Sequence, residues 1–377
     1  MGSRHTTVPP GRGQYVRRVA EIPGIDPATA RRLARVEARY PFRATTYYLG
    51  RVRWDDPDDP LRRLVVPCPG ELGEGGSLDP SREAANTVAP GVQHKYADTA
   101  VVLATDACAG VCRYCFRKRL FLSPGQTLPD VARAAAYVAR HPEISDVLLT
   151  GGDPLTLPTR ELRRLALAFA RIPHVRTVRI GSKMPAFNPA RITGDPALAD
   201  LLREVRSEGC AVYLMTHFDH PREISAEARA ALEAVQACGV QVQNQCPLVR
   251  GVNDDPGVLA ELLQRLTELG APQYYLFQMR PTAGNEPFAV PIVEGWRILS
   301  RARARLSGLS RRVRFVMSHA TGKVEIVGVD ERHIVARYHR AKDPADEDRL
   351  LVLQRDDRAL WLDDLRPAPL GGAFQAA

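Results

Sequence analysis

The chain has 377 residues, 45% of them hydrophobic and 25% charged, with 28 glycines and 30 prolines. That balance excludes wholesale disorder, a fibrous repeat and a disulfide-dense mini-protein, and no apolar run approaches the roughly 20 residues of a membrane-spanning helix. Lys and Arg total 52 against 43 Asp and Glu, a net charge of +9, which suits anionic small molecules or solubility as well as nucleic acid. No compact Lys/Arg block interleaved with aromatics is present, so neither nucleic acid nor membrane is expected as a partner.

Residues 1–95 read as a helical and loop extension rich in Pro and Arg, with one clear helical stretch at 27–39. Residues 1–18 are polar and Arg-dotted and lack the apolar core of a secretion signal, so the expected address is the cytoplasm. Trp54-Asp55-Asp56-Pro57-Asp58-Asp59-Pro60 is turn chemistry. The Gly-rich stretch 70–76 lacks the strand-to-helix context of a phosphate cradle.

From about 96 to 308 short β-rich runs alternate with amphipathic helical patterns. The strands are expected at 100–104, 147–150, 177–181, 211–216, 240–245 and 274–279. The helices are expected at 128–140, 159–170, 195–207, 226–238, 257–269 and 292–306. Such alternation implies a parallel sheet, either open and doubly wound or curled into a barrel. Polar residues collect where these strands end: Thr105, Asp106, Gly151, Gly152, Asp153, Ser182, Lys183, His217, Gln245 and Gln278. That is how a βα-barrel active site is built. Residues 309–377 turn β-like again, at 313–317, 323–327, 333–338 and 350–353, and read as a small β-rich region closing one end of the barrel.

The seven cysteines are odd in number and the chain is long, so a disulfide framework is not expected. Three crowd into one loop after the first strand, Cys108-Ala109-Gly110-Val111-Cys112-Arg113-Tyr114-Cys115. A structural zinc ion wants four ligands, commonly from two C-x2-C pairs. Three thiolates on a [4Fe–4S] cube would leave one iron open to a small molecule. Zinc with a distant fourth ligand, and cysteines that are merely buried, are the alternatives.

The C-x3-C-x2-C loop after the first strand of a βα barrel resembles the radical S-adenosylmethionine (SAM) superfamily. The likeness extends to the lysine 2,3-aminomutase family. It rests on Gln93-His94-Lys95-Tyr96, Cys115-Phe116-Arg117-Lys118-Arg119, Asp146-Val147-Leu148-Leu149-Thr150-Gly151-Gly152-Asp153-Pro154-Leu155, Val178-Arg179-Ile180-Gly181-Ser182, Thr216-His217-Phe218-Asp219-His220-Pro221, and Asn244-Gln245 with Leu248-Val249-Arg250-Gly251-Val252-Asn253-Asp254. These occur in the family's order over about 93–330, and 54–60 is similar to its N-terminal segment. The fold implied is α/β, a partial (β/α)6 barrel of the radical SAM type with a helical N-terminal extension and the small β-rich C-terminal region.

The resemblance also implies a reaction. A [4Fe–4S] cluster on Cys108, Cys112 and Cys115 would bind SAM and cleave it to a 5′-deoxyadenosyl radical. The electron would come from a low-potential donor such as flavodoxin or ferredoxin. The radical would act on a small-molecule amino acid held by pyridoxal 5′-phosphate (PLP), and the amino group would move from Cα to Cβ. Gly151, Gly152 and Asp153 would contact SAM, with Ser182, His217 and Gln245 lining its pocket. Arg117 would grip the substrate α-carboxylate, and Tyr96 would contact PLP. Lys323, in Ser318-His319-Ala320-Thr321-Gly322-Lys323, would carry PLP, although the family's run of glycines is reduced here to Gly322. The family forms homo-oligomers. Its structural zinc is not expected, because only Cys246 lies downstream of Cys238.

The main departure concerns the substrate. Lysine-specific members hold the ε-ammonium with two aspartates; the matching positions here are Arg280 and Ser318. An arginine opposite an ammonium places like charges together, so Arg280 favours a carboxylate, and a glutamate-like amino acid is expected rather than lysine. Three alternatives differ in their tests. A PLP-independent radical SAM enzyme (dehydrogenation, epimerisation or elimination) would have no use for Lys323. A lysine 2,3-aminomutase proper would hold lysine by other groups. An iron–sulfur sensor that binds nucleic acid would show steep salt dependence and no SAM cleavage.

Overall fold

The computed structural model describes residues 15–123 and 125–369. Residues 1–14, part of the segment behind the expected cytoplasmic address, and 370–377, the end of the β-rich C-terminal region, lie outside it.

One twelve-stranded sheet runs through the molecule, and its strands neighbour each other in chain order. They are β1 (Thr87–Ala89), β2 (Val92–Tyr96), β3 (Thr99–Thr105), β4 (Asp146–Gly151), β5 (Thr177–Ser182), β6 (Ala211–Thr216), β7 (Gln241–Pro247), β8 (Gln273–Phe277), β9 (Arg314–His319), β10 (Gly322–Val329), β11 (His333–Ala341) and β12 (Leu350–Gln354). Strands β3 to β9 are parallel. The flanking strands β1, β2 and β10 to β12 are antiparallel. The six βα units read from the sequence are therefore followed by a seventh parallel strand, β9, and the C-terminal strands extend the same sheet.

The main helices are α1 (Pro27–Arg39) and α2 (Pro60–Val65) in the extension, then α3 (Val131–Ala139), α4 (Thr159–Ala170), α5 (Pro196–Ser207), α6 (Ala226–Gln236), α7 (Pro256–Glu268) and α8 (Ile292–Arg303). Local chemistry sets their starts. Asp59, Asp195 and Asp255 accept from backbone N–H groups at the N-termini of α2, α5 and α7, each with a proline in the first turn, which satisfies donors a helix start leaves open. Leu162, Leu165 and Phe169 of α4 and Leu198, Leu201 and Val205 of α5 are buried at helical spacing, against strand residues such as Val178, Ile180, Val212 and Leu214.

On the other face some strands present polar side chains, beside apolar ones such as Val101 and Leu148 in the row of Arg179. Arg179, Gln243 and Gln245 alternate with the buried Val178, Ile180, Val242 and Cys246. The sheet curls without a ladder joining its ends. Side chains bridge them instead: Arg340 of β11 pairs with Asp98 in the β2–β3 turn at 2.5 Å, and Lys95 of β2 donates to the carbonyl of His319 in β9. The result is a partial barrel whose lumen carries charged and amide side chains.

Candidate active site

The cysteine loop leaves the end of β3 and is strapped from both sides. From the extension, the carbonyls of Arg43 and Leu64 accept from Val111 N (2.8 Å) and Arg113 N (2.9 Å). Arg113, in the middle of the loop, is fully buried and donates to both oxygens of Glu71 at 3.0 and 2.7 Å, and to the carbonyl of Pro41 at 2.9 Å. From the barrel, Asn285 Nδ2 donates to the carbonyl of Tyr114 at 2.7 Å. Such strapping is what holds three thiols of a flexible loop in one arrangement.

Gly151 ends β4 and Gly152 follows it, and together they press their backbone onto the start of that loop. Gly152 N donates to the carbonyl of Thr105 at 2.6 Å and Asp153 N to that of Ala107 at 2.7 Å. A Cβ at Gly152 would meet Ala107 O at 2.3 Å, and Gly151 adopts φ +111°, so both positions require glycine. Here the glycines serve the approach of the protein's own backbone. The buried Asp153 carboxylate accepts from Ser182 Oγ (2.9 Å), Lys183 N (2.9 Å) and Leu155 N (3.0 Å). Asp153 and Ser182 therefore bind one another and tie the ends of β4 and β5; burial lifts the Asp153 pKa to about 6.

The three thiols lie close enough to oppose one another's ionisation. Burial pushes Cys108 and Cys115 up and Cys112 to about 12, and neighbouring thiols add to this at Cys108 and Cys112. Among the described residues no three His, Cys, Asp or Glu side chains converge as ligands of a single ion would. Three thiols with no fourth partner fit the cube.

Behind Cys112 lies a buried charge network that sequence reasoning missed. Lys183, next after Ser182, pairs with Asp219 and with Glu223 at 2.8 Å. Tyr114 OH donates to Asp219 at 2.6 Å and Tyr48 OH to Glu223 at 2.7 Å. Two carboxylates keep Lys183 charged despite burial. His217 lies 3.7 Å from Asp219, and its Nε2 and Asp219 Oδ1 are buried without a hydrogen-bond partner. Burial, then Lys183, lowers the His217 pKa to about 3, so it is neutral. Asn244 Oδ1 accepts from Phe218 N at 2.8 Å and so fixes the loop that presents His217. Gln245, beside it, is half-buried and makes no side-chain hydrogen bond among the described residues.

The expected substrate residues come together, with one unexpected partner. Arg117 Nε lies 3.3 Å, Arg119 Nη2 2.8 Å and Arg280 Nη1 3.1 Å from the Glu83 carboxylate. Arg117 also donates to Thr150 Oγ1 at 3.1 Å. The Phe116 ring lies under both Arg280 (3.8 Å) and Arg117 (4.7 Å). Burial opposes ionisation of Glu83, but Arg117, Arg280 and Arg119 together hold its carboxyl far below the usual range. Among the described residues Glu83 is the only carboxylate in ion-pair reach of these three guanidiniums, so two positive charges are unmatched.

Lys323 is the second residue of β10, and its ammonium position lies 4.7 Å from the Tyr275 ring and 5.9 Å from that of Tyr96. It has no ion pair among the described residues. Burial first, then Arg179, Arg340, Lys95 and Arg280, lowers its pKa to about 7. A lysine that loses its proton near pH 7 can attack a carbonyl, and the surrounding cations suit a phosphate, so the lumen fits PLP. Tyr96 OH is buried without a partner, and Arg340 covers its ring at 4.6 Å. Gly322 is explained by packing: a Cβ there would meet Arg340 O at 2.3 Å.

Residues 102–263 match the family model described as the Radical SAM superfamily. A protein of Aquifex aeolicus (strain VF5), provisionally named L-lysine 2,3-aminomutase, is 47% identical over 353 residues, 93% of this chain and 94% of that protein. L-lysine 2,3-aminomutase of Clostridium subterminale is 36% identical over 268 residues, 70% of this chain and 63% of that one. Glutamate 2,3-aminomutase of Clostridioides difficile (strain 630) is 32% identical over 281 residues, 73% and 64% of the two chains. The fold and the three-cysteine loop define a radical SAM enzyme. The chain belongs to the lysine 2,3-aminomutase family. No helix among the described residues is long and apolar enough to cross a membrane.

Proposed function

We propose that this protein is a PLP-dependent amino acid 2,3-aminomutase whose substrate is acidic, glutamate being the simplest case. The observation that carries this reading is the charge surplus: three guanidiniums share one protein carboxylate, Glu83. An incoming lysine ε-ammonium would face that surplus, at a cost on the order of several kcal/mol in a desolvated site. A second carboxylate would instead relieve it.

When bound, the cluster and SAM supply a carbon-centred radical, and PLP supplies the electron sink for amino-group migration. Cys108, Cys112 and Cys115 would hold the cluster, and Glu71 would hold their loop through Arg113. The lumen wall at Gly151, Gly152, His217 and Gln245 would face SAM. Arg117 would orient the substrate α-carboxylate and Arg280 the distal one, each by N–H donors directed at carboxylate oxygens. Lys323 would attach PLP, since its amine loses its proton as pH rises through about 7. The reading requires a low-potential one-electron donor of the flavodoxin or ferredoxin kind, and a cytoplasmic setting suits an oxygen-sensitive cluster.

The test is the absorbance of protein reconstituted with iron, sulfide and PLP without oxygen. A broad visible band bleached by dithionite is expected, with a second band that borohydride removes and that is absent in Lys323→Ala. A cluster band with no PLP band would defeat the aminomutase reading and leave a PLP-independent radical enzyme.

A further inference from the structure

Glu83 is placed with care. It opens the single 3-10 turn Glu83–Asn86, and the residue before it, Arg82, is left-handed at φ +50°, a conformation non-glycine residues adopt only when the surroundings impose it. Asp79 imposes it here, accepting from Glu83 N at 2.7 Å and Ala84 N at 2.9 Å. The turn points the carboxylate inward, where one oxygen takes Arg280 (3.1 Å) and the other Arg119 (2.8 Å) and Arg117 (3.3 Å).

The three arginines are not equally held. Arg119 has a second anchor in Gln126 Oε1 at 2.9 Å, and Arg117 has Thr150. Arg280 makes a single side-chain hydrogen bond among the described residues, to Glu83, and rests otherwise on the Phe116 ring. Without Glu83, nothing polar would fix the Arg280 guanidinium relative to that of Arg117.

We propose that Glu83 is a positioning residue for substrate specificity: it sets the separation of Arg117 and Arg280 to receive the two carboxylates of one dicarboxylic substrate. The inference rests on the acidic-substrate reading and adds the residue that enforces it. Two roles of a buried carboxylate have opposite consequences. As a competing anion, its removal would tighten every carboxylate ligand. As an aligner, its removal would weaken a two-point ligand relative to a one-point ligand, because only the former depends on spacing.

The experiment is calorimetric titration of the full-length, cluster-loaded protein with glutarate and with butyrate, two unreactive probes that differ by one carboxylate. Wild type is expected to prefer glutarate by roughly tenfold or more. Glu83→Gln is expected to reduce that preference to about twofold or less, with the visible cluster band unchanged, and Glu83→Asp to restore part of it. Tighter binding of both probes by Glu83→Gln with the preference intact would overturn the inference and leave Glu83 as a competing anion. An absent preference in wild type would defeat the acidic-substrate reading itself, before any substitution is made. Should Glu83→Gln lose its cluster band, Glu83→Asp decides alone: a partial loss of preference supports the inference and a full preference overturns it.

Discussion

Arg113 stands between Cys112 and Cys115 and holds both carboxylate oxygens of Glu71, 42 residues earlier in the chain, with neither side chain reaching solvent. The pair joins the N-terminal extension to the loop that carries the three thiols. Replacing such a pair by apolar groups can be nearly neutral, but removing one partner strands a buried charge. Glu71→Ala is therefore expected to lower stability by about 3–5 kcal/mol, read as a shift in denaturant midpoint at unchanged slope. Iron retained after reconstitution should fall with it.

Six of the seven cysteines fall into two groups by their surroundings. Cys210 donates to the carbonyls of Ala170 and Val175, Cys238 to that of Ala234, and Cys246 accepts from Gln273; all three are buried. Alanine at Cys108, Cys112 or Cys115 should abolish the visible band and bound iron. Alanine at Cys210, Cys238 or Cys246 should leave both in place, at a modest cost in stability.

Lys323 gives a pH dependence with a definite sign. Its pKa falls to about 7 in the fold from an ordinary 10.5, so the amine becomes neutral as pH rises through about 7. PLP attachment should rise over that interval rather than near pH 10, followed by absorbance. Lys323→Arg should bind little PLP that borohydride can fix covalently.

Asp153 gives the opposite kind of profile. Its pKa rises to about 6 in the fold from 3.8, so the folded state binds the proton more tightly than the unfolded state. Its contribution to stability is fully present below about pH 4 and is lost as pH rises through about 6. Asp153→Asn should flatten that slope in midpoints measured from pH 4 to 7.

Much of this was legible in sequence because it is local. The βα alternation is a matter of periodicity within ten or so residues, and α4 begins and ends at Thr159 and Ala170, where the pattern places it. The three cysteines share one loop, so their spacing carried the chemistry. The partners of the site were not legible, because they are distant in the chain. Glu71 lies in a Gly-rich stretch that reads as surface loop, and Glu83 in a polar segment without periodicity. Nothing near either points to Arg113 or to Arg280, 197 residues away. Lys183 was in view as a strand-end residue and Asp219 within the segment 216–221, but their pairing depends on β5 and β6 being neighbours. The role of Gly151 and Gly152 in seating the cysteine loop also appears only once β3 and β4 are paired.

The most direct measurement is product analysis. The reconstituted enzyme, with SAM, PLP and dithionite, is given equal concentrations of L-glutamate and L-lysine, and the products are resolved by NMR. Formation of 3-aminopentanedioate with lysine unchanged is the expected result. Formation of 3,6-diaminohexanoate with glutamate untouched would contradict the assignment of Arg117, Arg280 and Glu83 to an acidic substrate.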